Sequence, residues 1–313
     1  MTTGPSDGDT NDDGFPSGNT QNWLDGFAAM LADTGLIEAL GDHHWAVFSE
    51  RGPTLLISFE GLDDIRSGHP TQLPLGFRVA QGKGWSHLCI IADGPTWWRD
   101  PAVYDYFDRL IDNEFLERFE RVTFYGASDG GYAAAAFSVA APGANVLVLQ
   151  PVATLRPDQA GWDRRFTEHR RLDFTARYGF APDMIDGAEQ VFVVFDPTQP
   201  EDTMHATLFR GPQVTRLLCP HLGERTDFGL GSMGLLTRLI EEVCEDRLTA
   251  PLFAQLWRGR RRHRPYLSDL IAINRKRGHL DRAIRVCRFA AETLNDLRFK
   301  RRLDELERER DGT

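Results

Sequence analysis

One stretch, RVTFYGASDGGYAAAA from Arg121 to Ala136, restricts the fold more than any other. Val122, Phe124 and Tyr125 make a β-type apolar run, and Ala133 to Ala136 make a helix-favouring one. Between them stands Gly126-Ala127-Ser128-Asp129-Gly130, a match to G-x-S-x-G. A strand that turns directly into a helix at a serine brings the two elements very close. Side chains two residues before and two after the serine would collide there, so glycine occupies both positions. Gly131 and the alanines keep the following helix slim enough to lie against a sheet. The turn lifts the Ser128 hydroxyl above the sheet edge and aims the Asp129 backbone N–H at an oxygen gaining negative charge. The alternative is a glycine-rich strand–helix turn with an incidental serine.

The 313 residues are 41% hydrophobic and 26% charged, which is ordinary for a globular chain and enough for one large core with an appendage. No apolar run is long enough for a membrane span. The first residues carry neither a basic region nor an apolar one, so they do not read as a secretory signal. Cys89, Cys219, Cys244 and Cys287 show no C-x-x-C spacing, and Cys89 and Cys219 fall in apolar runs. A cytoplasmic protein with reduced thiols is expected. The net charge of −10 is uneven. Residues 251–313 hold 17 Lys+Arg against 9 Asp+Glu. This basic tail either docks on the acidic body or meets an anionic partner.

Residues 1–20 are Gly-, Ser-, Asp- and Pro-rich and are expected to be disordered. From Trp23 to Leu40, apolar residues recur at helical spacing, with Gly35 and Gly41 as breakers. Trp45–Ser49 and Thr54–Phe59 read as two strands, and the Arg51-Gly52-Pro53 turn suggests a hairpin between them. Ser86–Ala92 is a strand, and Pro101–Phe119 an amphipathic helix with Pro101 in its first turn. After the serine turn come strands at Asn145–Gln150, Glu189–Asp196 and Val214–Cys219. Helices follow at about 202–210 and 233–247. Residues 154–187 lack strand character and read as a small helical insertion over the sheet. Strands alternating with helices predict an α/β fold, a mostly parallel sheet with helices on both faces, over residues 21–250.

Residues 251–313 form a separate α-helical extension. Tyr266–Phe299 fits one helix-turn-helix repeat of the tetratricopeptide kind, with Gly278 closing the first helix and Ala283 and Ala290 at the contact. One such unit cannot bury its own face, so it leans on the body, on a second copy or on a partner protein. Arg258–Arg264 is strongly basic but lacks interleaved aromatics, so a linker or docking segment is favoured over a nucleic-acid surface.

A serine hydroxyl needs a base. His221 lies just past the strand ending at Cys219 and is the candidate. His205 competes, but its helix makes it a surface residue in this reading. The base needs a carboxylate to orient it. Asp202, at the edge of a helix, is favoured over Asp196, which ends its strand; each also has a bland role, as helix cap or turn cap. Asp129 N–H is one oxyanion donor, and Gly61 or Leu62, after the Thr54–Phe59 strand, supplies the other. Asp93, Trp97 and Trp98 follow another strand end and are weaker candidates for the pocket wall. No zinc signature, P-loop or dinucleotide fingerprint occurs, so no metal or cofactor is expected.

The chain resembles the α/β-hydrolase superfamily over about residues 45–247. The residues that carry the resemblance are Gly126–Gly130, Asp196 or Asp202, and His221. It is most similar to a poorly characterised bacterial branch in which Tyr-Gly-x-Ser-x-Gly-Gly-Tyr-Ala-Ala is matched by Tyr125–Ala134. An Asp-x-x-His-Ala segment there is matched by Asp202–Ala206, and Pro220 stands where a glycine often precedes the histidine. The resemblance implies cleavage of a small-molecule ester, thioester or amide, or acyl transfer, through an acyl-serine. It names no substrate. The contrasting expectation is a hydrolase-like binding module that recruits a protein through residues 251–313.

Overall fold

The computed structural model describes residues 20–31 and 34–312. The expected disorder of residues 1–20 therefore falls, except for Thr20, outside the described residues. In chain order the elements are α1 (Thr20–Leu31), β1 (Gly35–Leu40), β2 (His44–Ser49), β3 (Thr54–Gly61), α2 (Leu62–Gly68), α3 (Leu75–Lys83), β4 (Ser86–Ala92), α4 (Pro101–Asp112), β5 (Arg121–Ala127) and α5 (Asp129–Phe137). They continue with β6 (Asn145–Leu149), α6 (Pro157–Ala160), β7 (Gln190–Phe195), α7 (Pro200–Leu208), β8 (Val214–Leu218), α8 (Thr226–Ser232) and α9 (Leu235–Cys244). The tail is α10 (Ala250–Leu256), α11 (Arg264–Lys276), α12 (Leu280–Leu294) and α13 (Leu297–Asp311).

The strands form one sheet in the order β1-β2-β4-β3-β5-β6-β7-β8, parallel from β4 onward. This is an α/β architecture, a mostly parallel sheet with helices on both faces and a C-terminal helical extension. The period-2 pattern explains the layering. Leu55, Ile57 and Phe59 of β3 enter the core beneath α4 and α5, while Leu56 enters the opposite core beneath α3 and α9. Cys89 and Ile91 of β4 pack with Trp23 and Phe27 of α1.

Several expectations change. Residues 35–40 form an edge strand rather than more helix: β1 pairs antiparallel with β2 through a turn that uses the positive φ of Gly41. The expected hairpin between 45–49 and 54–59 does not form. β4 lies between β2 and β3, so β2 pairs antiparallel with β4 and β3 pairs parallel with β4 and β5. The 101–119 helix stops at Asp112, where Glu114 takes a positive φ, and resumes as a short 3-10 turn at Leu116–Arg118. The 233–247 helix is preceded by α8, from which left-handed Gly234 separates it. Residues 154–187 hold α6 and 3-10 turns at Thr167–Arg171 and Ala181–Asp183. Phe174, Ala181 and Ile185 of this insertion are buried in the α5-side core.

The tail has three long helices where two were expected. Trp257, Tyr266, Leu267 and Ile271 share one core with Leu217, Cys219, Leu239 and Ile240 of the sheet and α9. Among the described residues no helix is long and apolar enough to cross a membrane.

Candidate active site

Ser128 stands between β5 and α5 with φ 55° and ψ −118°, a conformation that L-residues rarely adopt and that costs on the order of 1–3 kcal/mol. Its neighbours impose it. The Ser128 N–H donates to the Leu149 carbonyl at 2.9 Å, and its carbonyl accepts from Tyr132 N–H at 3.0 Å. A Cβ at Gly126 would overlap the Gly130 carbonyl, and one at Gly130 the Phe59 carbonyl. At Gly131 it would lie 2.9 Å from the Leu149 carbonyl oxygen. The glycines are thus fixed by close approach of backbone, and the hydroxyl is left half-buried with no hydrogen bond to any described residue.

His221 lies in the loop after β8, with φ 65°. Its backbone N–H donates to Asp196 Oδ1 at 3.0 Å, and Gly223 N–H donates to Asp196 Oδ2 at 2.8 Å. Asp196 is fully buried at the end of β7 and also accepts from the Thr198 N–H and hydroxyl, both at 2.8 Å. One carboxylate therefore caps its own turn and grips the histidine loop. The His221 Nδ1 is buried without a partner. Tyr266 of α11 donates its hydroxyl to the Pro220 carbonyl at 3.0 Å, so the tail braces the same loop.

Asp202 is placed elsewhere. It is buried on α7 and accepts from Arg165 Nη1 at 2.6 Å. Arg165 also grips Asp163, whose Oδ2 lies 3.1 Å from His205 Nε2. His205 is fully buried, not a surface residue, because α7 turns that face toward the insertion; its Nδ1 accepts from Ala153 N–H at 3.1 Å. Burial raises the Asp163 carboxyl, but hydrogen bonds from His205 and Arg165 outweigh it and hold the group well below the usual carboxylate range.

A cavity of about 400 Å³ opens beside the turn, at the C-terminal ends of β3 and β5. Gly61, Ala127, Asp129 and Trp98 line it, together with Glu60, Arg78 and Tyr125, which sequence reasoning missed. Leu62 begins α2, so its N–H has no partner within the helix. Trp97 is buried against Tyr132, Phe166 and Phe174 as core, and neither it nor Asp93 borders the cavity. Burial pushes the Asp129 carboxyl up to about 6.

Glu60, His87 and Cys89 bring ligand-type atoms within 4.8 Å of one another. The Ser58 hydroxyl sits among them, 2.7 Å from Glu60 Oε1 and 2.9 Å from His87 Nε2. Burial raises the Cys89 thiol and lowers His87 to about 3. The Ser58 hydroxyl links Glu60 and His87 into a buried hydrogen-bonded network.

No protein-family model matches the sequence, and no curated protein does. Solved structures of similar fold include a carboxyl esterase from the mycorrhizal fungus Tuber melanosporum, at 12% identity and TM-score 0.41, covering 68% of this chain and 86% of that one. Est1E from Butyrivibrio proteoclasticus is 16% identical at TM-score 0.45, covering 69% and 99%. An esterase from the archaeon Pyrobaculum calidifontis is 14% identical at TM-score 0.44, covering 71% and 90%.

Proposed function

We propose that this protein is a serine-dependent enzyme that cleaves an ester or thioester, or transfers its acyl group, through an acyl intermediate on Ser128. The observation that carries the reading is the strained Ser128 backbone, held by three glycines beside a cavity. Strain at a residue with a free nucleophilic hydroxyl is expected where geometry serves chemistry. In this reading Ser128 Oγ attacks the acyl carbon while His221 removes its proton. The N–H of Asp129, with that of Gly61 or Leu62, holds the carbonyl oxygen as it becomes an oxyanion. The histidine then returns the proton to the leaving group, and water or an acceptor alcohol resolves the acyl-enzyme.

For the orienting acid we favour Asp196. Arg165 already claims Asp202, whereas Asp196 grips the loop that carries His221. His221 and Ser128 are not hydrogen-bonded to each other here, so the reading requires the imidazole to close on the hydroxyl as substrate binds.

The test is labelling of the folded protein with a fluorophosphonate. Wild type is expected to label, and Ser128→Ala and His221→Ala to lose labelling by at least about a hundredfold while keeping their circular dichroism. A folded wild type that does not label sinks the proposal. A second reading, self-association or partner recruitment through residues 251–313, has in its favour that Phe289 and Leu297 stay 41% and 67% exposed on the tail. A monomer by light scattering, with no partner lost on Leu297→Glu, speaks against it.

A further inference from the structure

The cavity lined by Ala127 and Asp129, on either side of Ser128, contains a cation that no described residue meets in a hydrogen bond or a close ion pair. Arg78 lies on the inner side of α3, and its guanidinium forms no hydrogen bond or ion pair with any described residue. Its Nε is buried and unpartnered. Guanidinium stays charged at any physiological pH, so a half-buried one normally meets a carboxylate or a carbonyl. Here the obvious partners are occupied.

Glu60 accepts from Leu75 N–H at 2.6 Å, from Gly76 N–H at 2.9 Å and from the Ser58 hydroxyl at 2.7 Å. These bonds hold Glu60 at the start of α3, where it acts on Arg78 only through longer-range Coulombic attraction and forms no ion pair with it, and burial raises its carboxyl. Asp227 is bound by Arg225 at 3.1 Å, and Arg225 also reaches Asp64 at 3.7 Å. Asp129 accepts from the Gly130 N–H at 3.0 Å. A second donor faces the same space. Tyr125 is 4% exposed, lines the cavity, and gives its hydroxyl to no described residue.

We propose that Arg78 and the Tyr125 hydroxyl form an anion subsite, so that the substrate of Ser128 carries a carboxylate or a similar small anion on the part that enters this cavity. The inference rests on the Ser128 reading and narrows its substrate class from esters in general to anionic ones. A planar, two-oxygen anion matches the guanidinium fork, and the Tyr125 O–H adds a third donor. Asp64 and Asp227 at the rim share the single charge of Arg225, so the rim stays negative and Arg78 is the cation left to meet a ligand. Charge contrast between a negative rim and a positive floor also selects against larger anions, which would keep part of their charge at the rim.

The test uses Ser128→Ala protein, so that binding is read without turnover. Its probes are monomethyl succinate, which carries one carboxylate, and the uncharged dimethyl ester. The Ser128→Ala protein is expected to bind the anionic ester roughly tenfold more tightly than the neutral one. Arg78→Met in that background should bring the ratio close to one, and Arg78→Lys should restore part of it, as a point charge without the fork. Tyr125→Phe should lower the ratio by a few-fold. A preference that survives Arg78→Met overturns the subsite, as does a ratio of one or below in the parent, or binding of neither ester. Fluorophosphonate labelling of wild type runs beside it. Labelling without charge preference sinks the subsite alone, whereas charge preference without labelling sinks the Ser128 chemistry alone.

Discussion

Ser128 and Asp129 each cost the fold stability, one through backbone strain and one through a buried charge. Ser128 holds φ 55° and ψ −118°, which glycine adopts freely. Ser128→Gly is therefore expected to be inactive yet at least as stable as wild type, by up to about 1–2 kcal/mol in urea denaturation. A clear loss of stability would show that the hydroxyl supports the turn. Asp129 makes a pH-dependent contribution. Its carboxyl titrates at about 6 in the fold, above its unfolded value of 3.8, because burial disfavours the charge. The native state thus holds the proton more tightly, and stability from this group falls as pH rises from about 4 to 6, with the full penalty present above that. Asp129→Asn should gain about 2 kcal/mol at pH 8 and nothing at pH 4; equal gains at both would contradict the assignment. The turn at Ser128 was legible in the sequence because it is local: strand, two glycines and slim helix all lie within a dozen residues. Arg78 was not, because an arginine in an amphipathic helix becomes informative only when packing leaves it without a partner.

At the level of elements, α7 is fastened to the 154–187 insertion by buried Asp163, Asp202 and His205, which the more exposed Arg165 bridges. Removing one partner of such a group strands the others, so Asp163→Asn should cost about 3 kcal/mol. Asp163 is depressed in the fold, so the stabilisation it carries is full above its unfolded value of 3.8 and is lost as pH falls from there toward the lower folded value. Hydrogen exchange should show the loss first in the insertion, with β5 and β6 still protected; uniform loss would mean the group supports the whole sheet. The strand and helix types of the central sheet follow from periodicity. The placement of β4 between β2 and β3 does not, because a turn such as Arg51-Gly52-Pro53 signals a reversal without saying which strands it joins. Asp202 was ambiguous for the same reason. Its partner Arg165 is 37 residues away and reaches it only after the insertion folds.

Across the whole molecule, the uneven charge invited an electrostatic account of the tail, but the junction is apolar. Tail ion pairs such as Arg264–Asp296, Arg275–Glu309 and Arg288–Glu307 run within it, while Trp257, Tyr266 and Ile271 bury themselves against the body. About 1 M NaCl should therefore leave the melting temperature within a few degrees, since buried apolar contacts are not screened. A large drop would restore the electrostatic account. Truncation before α10 strips cover from Leu217, Leu239 and Ile240, and the product is expected to aggregate; a soluble, cooperatively folding 1–249 fragment would show that the tail is a separate module. Tyr266→Phe removes only the bond to the Pro220 carbonyl and should slow labelling of Ser128 several-fold without changing the melting temperature.

The turn at Ser128 is enforced by Gly126, Gly130, Gly131 and the carbonyls they press against, and none of that enforcement uses the hydroxyl. Reactivity and architecture are consequently inherited separately in this chain. If Ser128 is the nucleophile proposed above, a single base change at its codon would silence the chemistry and leave the cavity, Arg78 and the helical tail intact. Under the proposed chemistry, a descendant altered in that way would remain a well-folded receptor for the substrate.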